Sequence, residues 1–330
     1  MPSDRPVLVV GCPRSGTTML QLMLHAHPRI ALPPENRFVL PAYRHRHTLG
    51  DLRDPQRRQR LARWIVGTPQ FAGLGLDSGR VIDAVVGAPP TLGSALGTVF
   101  RLYAERFGKP RWGDKRPAYL RHLPALLRMF PDAQIVNIVR DGRDCVASLK
   151  EAPWTGSSFP DLLDSWARSA DAALRAARHY GPDVYHVVRY EDLVADPAAH
   201  LRGLCEFLGE EYDPAMAHPG EPAAEARPGW QTLTRSGVTT SRVRSWQRRL
   251  TAGEIERCEV VLGTRLARFG YPLSTAATPT PSDVATQFLL AARHRLTPVR
   301  TLAADASAVL RSGGFGPAVA ARLTSGQLAR

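Results

Sequence analysis

Residues 7–18 read VLVVGCPRSGTT, and this stretch decides the fold. Val7–Val10 is a short apolar run, typical of a fully buried strand, and Gly11 ends it. A helix is predicted from Thr17 to Ala26. In a strand, turn and helix of this kind, the backbone N–H groups of the turn and the positive end of the helix dipole point to the same place. The stretch therefore predicts a phosphate-binding loop.

The loop departs at one position from the nucleotide pattern G-x-x-x-x-G-K-[ST]. Thr17 stands where an ATPase or GTPase carries lysine, and the cation has moved to Arg14. A loop without that lysine is poorly suited to a γ-phosphate with magnesium but well suited to a single 5′-phosphate. The predicted anion-binding residues are Arg14, Ser15, Gly16, Thr17 and Thr18.

At this loop the chain resembles the sulfotransferases that use 3′-phosphoadenylyl sulfate (PAPS). Residues 13–18 are similar to the arginine-bearing loop of tyrosylprotein sulfotransferases and many bacterial members, and the similarity in spacing continues to Arg37. The resemblance implies the α/β sulfotransferase fold, a P-loop-like parallel β-sheet with helices on both faces. It also implies PAPS as co-substrate, 3′,5′-adenosine bisphosphate (PAP) as product, and no metal.

Two further apolar runs predict buried strands, Ile135–Val139 and Val184–Tyr190. Each is followed by a predicted helix, the first running through Leu149 and the second from Ala198 to Leu208. Repeated strand–turn–helix units predict a parallel sheet covered by helices on both faces. Residues 37–110 are less regular, with a helical pattern near 96–107.

Residues 138–148 read IVRDGRDCVAS and resemble the second phosphate site of these enzymes. The resemblance assigns Arg140 and Ser148 to the donor's 3′-phosphate, since a guanidinium offers a forked pair of donors and a hydroxyl adds another. It places Tyr190 near the nucleotide. Ser241 and Arg242 match the last nucleotide-contacting segment more loosely.

The chemistry needs a base for the acceptor's proton and cations for the charge that grows on the leaving phosphate. By motif alignment Glu35 stands in the position of the base in tyrosylprotein sulfotransferases. A histidine base, as in cytosolic sulfotransferases, stays open. The available histidines are His45, His47 and His122.

Lys115 is the predicted catalytic cation, together with Arg14. Residues 113–117, GDKRP, resemble the family's G-D-K-T-P segment, with Arg116 where threonine is usual. Lysine is rare in this chain, with three lysines among 43 lysines and arginines, so a lysine inside a motif supports the assignment.

The formal net charge of +13 favours a polyanionic partner or ligand. Two other functions fit parts of the pattern: a P-loop nucleotide-dependent phosphotransferase and a non-catalytic polyanion-binding protein. Residues 37–63 carry eight arginines against Asp51 and Asp54. This segment is expected to border an acceptor pocket that favours an anionic acceptor.

The predicted organisation is a sulfotransferase domain over 1–271, a linker over 272–283 and a basic helical extension over 284–330. The N-terminal apolar run is too short for a signal peptide or a membrane span. The four scattered cysteines favour a reducing, cytoplasmic location. The expected acceptor is the hydroxyl of a small molecule, glycan, lipid or peptide and not a nucleic acid, and the basic tail could contact a membrane surface.

Overall fold

A computed structural model describes residues 3–153, 156–219 and 238–276, together with 280, 281 and 284. Within this part of the chain, five parallel strands form one sheet in the order β2-β3-β1-β4-β5. The strands are β1 (Val7–Gly11), β2 (Ile30–Ala31), β3 (Arg111–Lys115), β4 (Gln134–Val139) and β5 (Tyr185–Arg189).

The helices of the described residues follow the strands along the chain. The α-helices are α1 (Thr17–Ala26), α2 (Val39–Arg44), α3 (Pro55–Val66), α4 (Ser78–Gly87), α5 (Leu92–Arg106), α6 (Leu123–Met129), α7 (Gly142–Lys150), α8 (Phe159–His179), α9 (Tyr190–Ala195), α10 (Pro197–Leu208), α11 (Trp246–Arg249) and α12 (Ala252–Arg268). Short 3₁₀ helices cover Phe71–Leu74, Pro117–His122, Pro214–Ala217 and Thr240–Arg242.

Alternate residues of β1 feed two separate cores, because successive side chains of a strand point to opposite faces of the sheet. Leu8 and Val10 join the core that contains Phe100 of α5. Val7 and Val9 join the core built with α1, α9 and α10. Helices therefore cover both faces, and the predicted parallel α/β sheet is confirmed.

Strand β3 was absent from the strands predicted by apolar periodicity because it carries Arg111, Asp114 and Lys115. All five of its residues are buried nonetheless. Arg111 is compensated by an ion pair of 3.0 Å with Glu210 and a hydrogen bond to Gln134, which offsets the cost of burying its charge. Strand β2 has two residues, too few for a periodic signal.

Residues 37–110 form a helical layer that the sequence pattern only partly predicted. Helix α5 covers the predicted segment near 96–107, and α2, α3 and α4 precede it. Asp54 and Asp77 cap α3 and α4, each accepting a hydrogen bond from a backbone N–H of the first turn. Capping residues rather than long apolar stripes therefore mark where these helices begin.

A third core joins α7, α8 and α12 next to the sheet's carboxyl edge, and it includes Trp166 and Cys258. The first residues of the predicted linker lie against this unit, since Ser274 and Thr275 donate hydrogen bonds to Glu259. Apart from Val284, the predicted extension 284–330 lies outside the described residues. Of the helices described, none is both long and apolar enough to cross a membrane.

Candidate active site at the carboxyl ends of the strands

The predicted phosphate loop joins β1 to α1 and turns sharply. The backbone of Arg14 has φ 71° and that of Gly16 has φ 100°. Ser15 closes the turn, because its backbone N–H and its Oγ both donate to the carbonyl oxygen of Cys12, at 3.1 and 2.8 Å. A Cβ atom at Gly16 would lie 2.7 Å from Cδ2 of Tyr190, so only glycine fits between the loop and this ring.

Arg14 reaches from the loop to the second predicted phosphate site. Its Nε donates to Ser148 Oγ at 3.0 Å. Burial lowers the pKa of the Arg14 guanidinium, and the nearby charges of Arg140 and Arg242 lower it further. Asp144 balances part of this charge, since it lies 3.7 Å from Arg140. The remaining positive charge suits this partly buried place to an anion with more than one charge.

Arg140 follows β4 and holds the two phosphate sites together. Its Nη1 donates to the carbonyl oxygen of Arg14 at 3.2 Å, and its Nη2 donates to that of Arg242 at 2.6 Å. The guanidinium stacks 4.4 Å from the centre of the Tyr190 ring. Its Nε is buried with no hydrogen-bond partner among the described residues. Four predicted site residues therefore converge here, namely Arg14, Arg140, Ser148 and Tyr190.

The segment that carries Ser241 and Arg242 is fixed to α7 by Asp144. This carboxylate accepts hydrogen bonds from the backbone N–H groups of Arg244 and Trp246 and from Ser245 Oγ, at 2.8–2.9 Å. Arg242 thereby comes close to Arg14 and Arg140. The side chain of Ser241 is exposed, and its backbone N–H donates to Thr239 Oγ1 at 3.1 Å.

The predicted catalytic residues meet beside the loop. Lys115 at the end of β3 pairs in register with Val9, two positions before Gly11. Its Nζ lies 2.9 Å from Glu35 Oε2 and 3.3 Å from Thr18 Oγ1. The Lys115 side chain is 2% exposed and that of Glu35 is 28% exposed. Glu35 is therefore the member of the pair that an incoming molecule can reach.

Asp114 anchors this pair from beneath, and the sequence patterns did not single it out. Its carboxylate is fully buried and accepts hydrogen bonds from Asn36 Nδ2, the Lys115 backbone N–H and Tyr119 OH, at 2.7, 2.8 and 2.5 Å. Burial raises the pKa of Asp114 to about 6, against the opposing effect of these hydrogen bonds. The group links the neighbours of Glu35 and Lys115 into one buried unit.

The alternative bases lie in different surroundings. His45 is buried and His47 is exposed. His122 has an exposed edge, but protein surrounds it on its other sides. This partial desolvation, with the charges of Arg121, Arg44, Arg116 and Arg168, lowers the pKa of His122 to about 4. His122 is thus a weaker base than an ordinary histidine.

Several arginines of the 37–63 segment have structural partners. Arg58 donates to the backbone carbonyl oxygens of Leu52 and Val86, at 2.5 and 2.7 Å. Arg57 lies 3.5 Å from Asp54, and Arg53 is 3.0 Å from Asp51. These contacts tie α3 to α4 and to the preceding turn, which argues against the expectation that this run as a whole faces an acceptor.

Within the described residues, no group of three or more His, Cys, Asp and Glu side chains could hold a metal ion. The four cysteines are free thiols and all are buried. The signal that could have revealed Asp144 is its spacing from Arg140, since residues four apart share one face of a helix. Asn36 has a simpler signal, its position directly after Glu35.

Comparison with known proteins shows which family the chain resembles. The sequence model of the sulfotransferase family matches residues 6–214. The chain is 29% identical over 289 residues to protein-tyrosine sulfotransferase 1 of Danio rerio, covering 81% of this chain and 73% of that protein. It is 26% identical over 222 residues to the Drosophila melanogaster protein-tyrosine sulfotransferase, covering 65% of this chain and 40% of that longer protein.

A solved structure also resembles the fold. The sulfotransferase domain of the Synechococcus PCC 7002 olefin synthase superposes with a TM-score of 0.59 at 24% identity, covering 82% of this chain and 96% of that domain.

Proposed function

The chain belongs to the sulfotransferase family, and we propose that it transfers the sulfuryl group of PAPS to a hydroxyl group of an acceptor by in-line displacement. The observation that carries this proposal is the meeting of two pairs at one loop. Arg14 and Ser148 are joined at 3.0 Å, and Lys115 and Glu35 at 2.9 Å, with Thr18 beside them. One pair suits the phosphates of a donor, and the other suits proton and charge transfer.

The loop would hold the donor's 5′-phosphate through its inward N–H groups, the start of α1 and the hydroxyls of Thr17 and Thr18. The 3′-phosphate would be taken by Arg140 and Ser148. Nη1 of Arg140 donates one hydrogen bond to a carbonyl oxygen and keeps a second N–H, and its Nε has no partner among the described residues. Nη2 donates to the carbonyl oxygen of Arg242 and lies 3.7 Å from Asp144. The Tyr190 ring, packed on Gly16 and under Arg140, would border the nucleotide.

In the transfer step, Glu35 would take the proton of the acceptor hydroxyl while the acceptor oxygen forms a bond to sulfur. The bond from sulfur to the bridging phosphate oxygen breaks at the same time, and its electron pair stays on the phosphate. Lys115 and Arg14 would stabilise that developing negative charge. The ion pair with Lys115 holds the Glu35 carboxylate beside the phosphate loop in advance of the step.

The acceptor is proposed as a tyrosine-bearing peptide or a small hydroxyl compound, on the ground that the relatives are named protein-tyrosine sulfotransferases. The phosphotransferase alternative is disfavoured by Thr17 at the position of the loop lysine. A non-catalytic polyanion binder would have no need of the Glu35–Lys115 pair.

The test is incubation of the protein and PAPS with an extract of the source organism, followed by mass spectrometry. New species heavier by one SO₃ unit, together with release of PAP, are expected. The control is Glu35→Gln, which keeps the shape of the side chain and should give few or none of these products. Release of PAP with no sulfated product in any fraction, or transfer of phosphate from ATP instead, would reject the proposal.

A further inference from the structure

A cluster of arginines lies beside the proposed catalytic pair and has no role in donor binding as described above. Arg116 directly follows Lys115, and its backbone N–H donates to Val9 O at 3.2 Å, next to the phosphate loop. The 3₁₀ helix Pro117–His122 follows and packs against β1 and α8. Tyr119 fixes that helix in place through its 2.5 Å hydrogen bond to Asp114.

Arg121 and His122 stand at the end of this 3₁₀ helix, and both have exposed surface. Arg121 lies near Cys12 of the phosphate loop and near Arg168 and Asp164 of α8. Burial among these neighbours lowers the pKa of the Arg121 guanidinium, and the charge of Arg168 adds to this effect. The cluster is therefore on the loop side of the sheet.

Positive charge exceeds negative charge around His122. Arg121, Arg44, Arg116 and Arg168 all act on its ring. Asp164 is the carboxylate that faces this group, and it lies 3.9 Å from Arg168. Like charges gathered in a partly enclosed cleft repel one another unless an anion binds between them.

Two of these arginines have unused donors. The Nη1 atom of Arg116 is buried and has no hydrogen-bond partner in the described structure. Arg121 is exposed instead, and its side chain makes no hydrogen bond or ion pair with any described residue. A buried guanidinium nitrogen without a partner is costly, and a bound oxyanion would satisfy it.

On the basis of the proposed function, we propose that Arg116 and Arg121 form a subsite for an oxyanion carried by the acceptor. The group recognised would be a carboxylate, phosphate or sulfate near the hydroxyl that receives the sulfuryl group. Arg44 and Arg168 contribute longer-range attraction. Of the 37–63 arginines, Arg44 lies near this subsite.

The test separates this subsite from the donor's phosphate sites by filling those sites first. The protein is saturated with PAP, and inorganic sulfate is then titrated at constant ionic strength while the His122 ring resonances are followed by NMR. The His122 signal is assigned by its loss in His122→Asn. Sulfate bound beside the ring favours its charged form, so the ring should shift toward the protonated form at pH 6 in sulfate but not in chloride.

Arg116→Gln and Arg121→Gln should each weaken sulfate binding about tenfold or more, because each removes a charge-assisted donor. Arg121→Lys keeps the charge but not the forked donor geometry, so its sulfate affinity should lie between that of these variants and that of the wild type. The control is Arg178→Gln, an exposed arginine of α8 placed about 15 Å along the helix from Arg168, which should bind sulfate as the wild type does. The PAP affinity of all four variants should stay within about twofold of the wild-type value, and this result would also show that they fold correctly.

Sulfate binding that vanishes once PAP is bound would assign these arginines to the donor site and overturn the subsite. Unchanged sulfate affinity in Arg116→Gln and Arg121→Gln would overturn it equally. Failure of the wild type to bind PAP at all would be a separate result, since it would reject the proposed function at the first step, before any sulfate is added.

Discussion

The Nε atom of Arg14 donates a hydrogen bond of 3.0 Å to Oγ of Ser148, a residue 134 positions further along the chain. The contact joins the β1–α1 loop to α7, and Arg140 strengthens the connection by donating to the carbonyl oxygen of Arg14. Parallel strands bring their carboxyl ends to one edge of the sheet, and β1 and β4 are direct neighbours. Two motifs far apart in sequence therefore form one anion-binding place.

This relationship predicts that the 3′-phosphate of the donor product is recognised. The wild type should bind PAP much more tightly than 5′-AMP in calorimetric titrations. Ser148→Ala should weaken PAP binding about fivefold to tenfold and leave 5′-AMP nearly unchanged, because one hydrogen bond to a charged group is lost.

Arg140→Ala should cost more, about 2–3 kcal/mol of PAP binding, since Arg140 also orders the carbonyl oxygens of Arg14 and Arg242. Ser148→Ala is the cleaner variant for that reason. Equal wild-type affinity for PAP and 5′-AMP would remove the basis for the second phosphate site.

How much of this site the sequence could predict depended on the type of residue. The glycines and Arg14 of the loop, with Arg140 and Ser148, stand in local patterns whose spacing indicates their chemistry, and the structure brings them together. Asp114 lies inside the GDKRP segment, but that pattern did not indicate its role, and Tyr119 lies outside it. Their hydrogen bond forms only because β3 and the following 3₁₀ helix fold back on each other, which is a tertiary relationship.

Dependence on tertiary contacts also explains why the sequence pattern did not predict strand β3. Its burial depends on partners from distant parts of the chain, such as Glu210 for Arg111 and Asn36 for Asp114. A periodicity argument treats each charged residue as solvent-exposed and so assigns the segment to a loop. Strand β1, by contrast, is apolar along its length and was predicted with an error of one residue, at Gly11.

The Glu35–Lys115 pair predicts a loss of turnover without a loss of donor affinity. Glu35→Gln should lower kcat about 10²-fold or more, a typical contribution of a general base, because the amide cannot accept the acceptor's proton. Lys115→Met should lower kcat comparably by removing the charge near the leaving phosphate. Both should bind the donor PAPS with affinity close to that of the wild type.

Lys150→Met is the matched control for charge removal, since Lys150 is partly exposed and pairs with Glu254 away from the loop. Its kcat should be nearly normal. Near-normal turnover of Glu35→Gln would transfer the role of base to a histidine, and His122→Asn and His47→Asn would then be measured in the same assay.

The close approach of Gly16 to the Tyr190 ring predicts that a larger residue at position 16 will clash with the ring. This clash can be separated experimentally from backbone strain. Gly16→Ala places a methyl group 2.7 Å from Tyr190 Cδ2 at φ +100°, so the loop or the ring must move. PAP affinity should fall about tenfold or more, and the free energy of unfolding by about 1–3 kcal/mol. Urea unfolding and calorimetric titration measure the two effects.

Gly108→Ala provides the comparison, because Gly108 has φ +64° and an added Cβ would meet nothing within 4 Å. It should lose about 1 kcal/mol of stability from the left-handed backbone conformation and keep normal PAP affinity. The steric account of the loop would be wrong if both variants bound PAP equally well.

Glu259 connects the third core to the residues that follow α12. Its carboxylate accepts hydrogen bonds from the backbone N–H and hydroxyl groups of Ser274 and Thr275, at 2.7–2.9 Å, and it pairs with Arg143. Burial by itself raises the pKa of Glu259, but these hydrogen bonds outweigh that effect and bring the pKa from 4.5 down to about 2. Arg143 in turn stacks 4.1 Å from the Trp246 ring beside the Arg242 segment.

Because the pKa of Glu259 is lower in the folded protein than in the unfolded chain, its contribution to stability is present above pH 4.5 and is lost as the pH falls toward 2. The shift corresponds to about 3 kcal/mol, so Glu259→Gln should lower the free energy of unfolding by an amount of that order at pH 7. The difference from the wild type should shrink steadily between pH 4.5 and pH 2, when urea unfolding is measured across this range.

Glu256→Gln, an exposed neighbour on the same helix, removes one charge without removing these hydrogen bonds and should show a much smaller difference at pH 7. A Glu259→Gln deficit that stays constant down to pH 2 would mean that the hydrogen bonds do not depend on the ionised carboxylate.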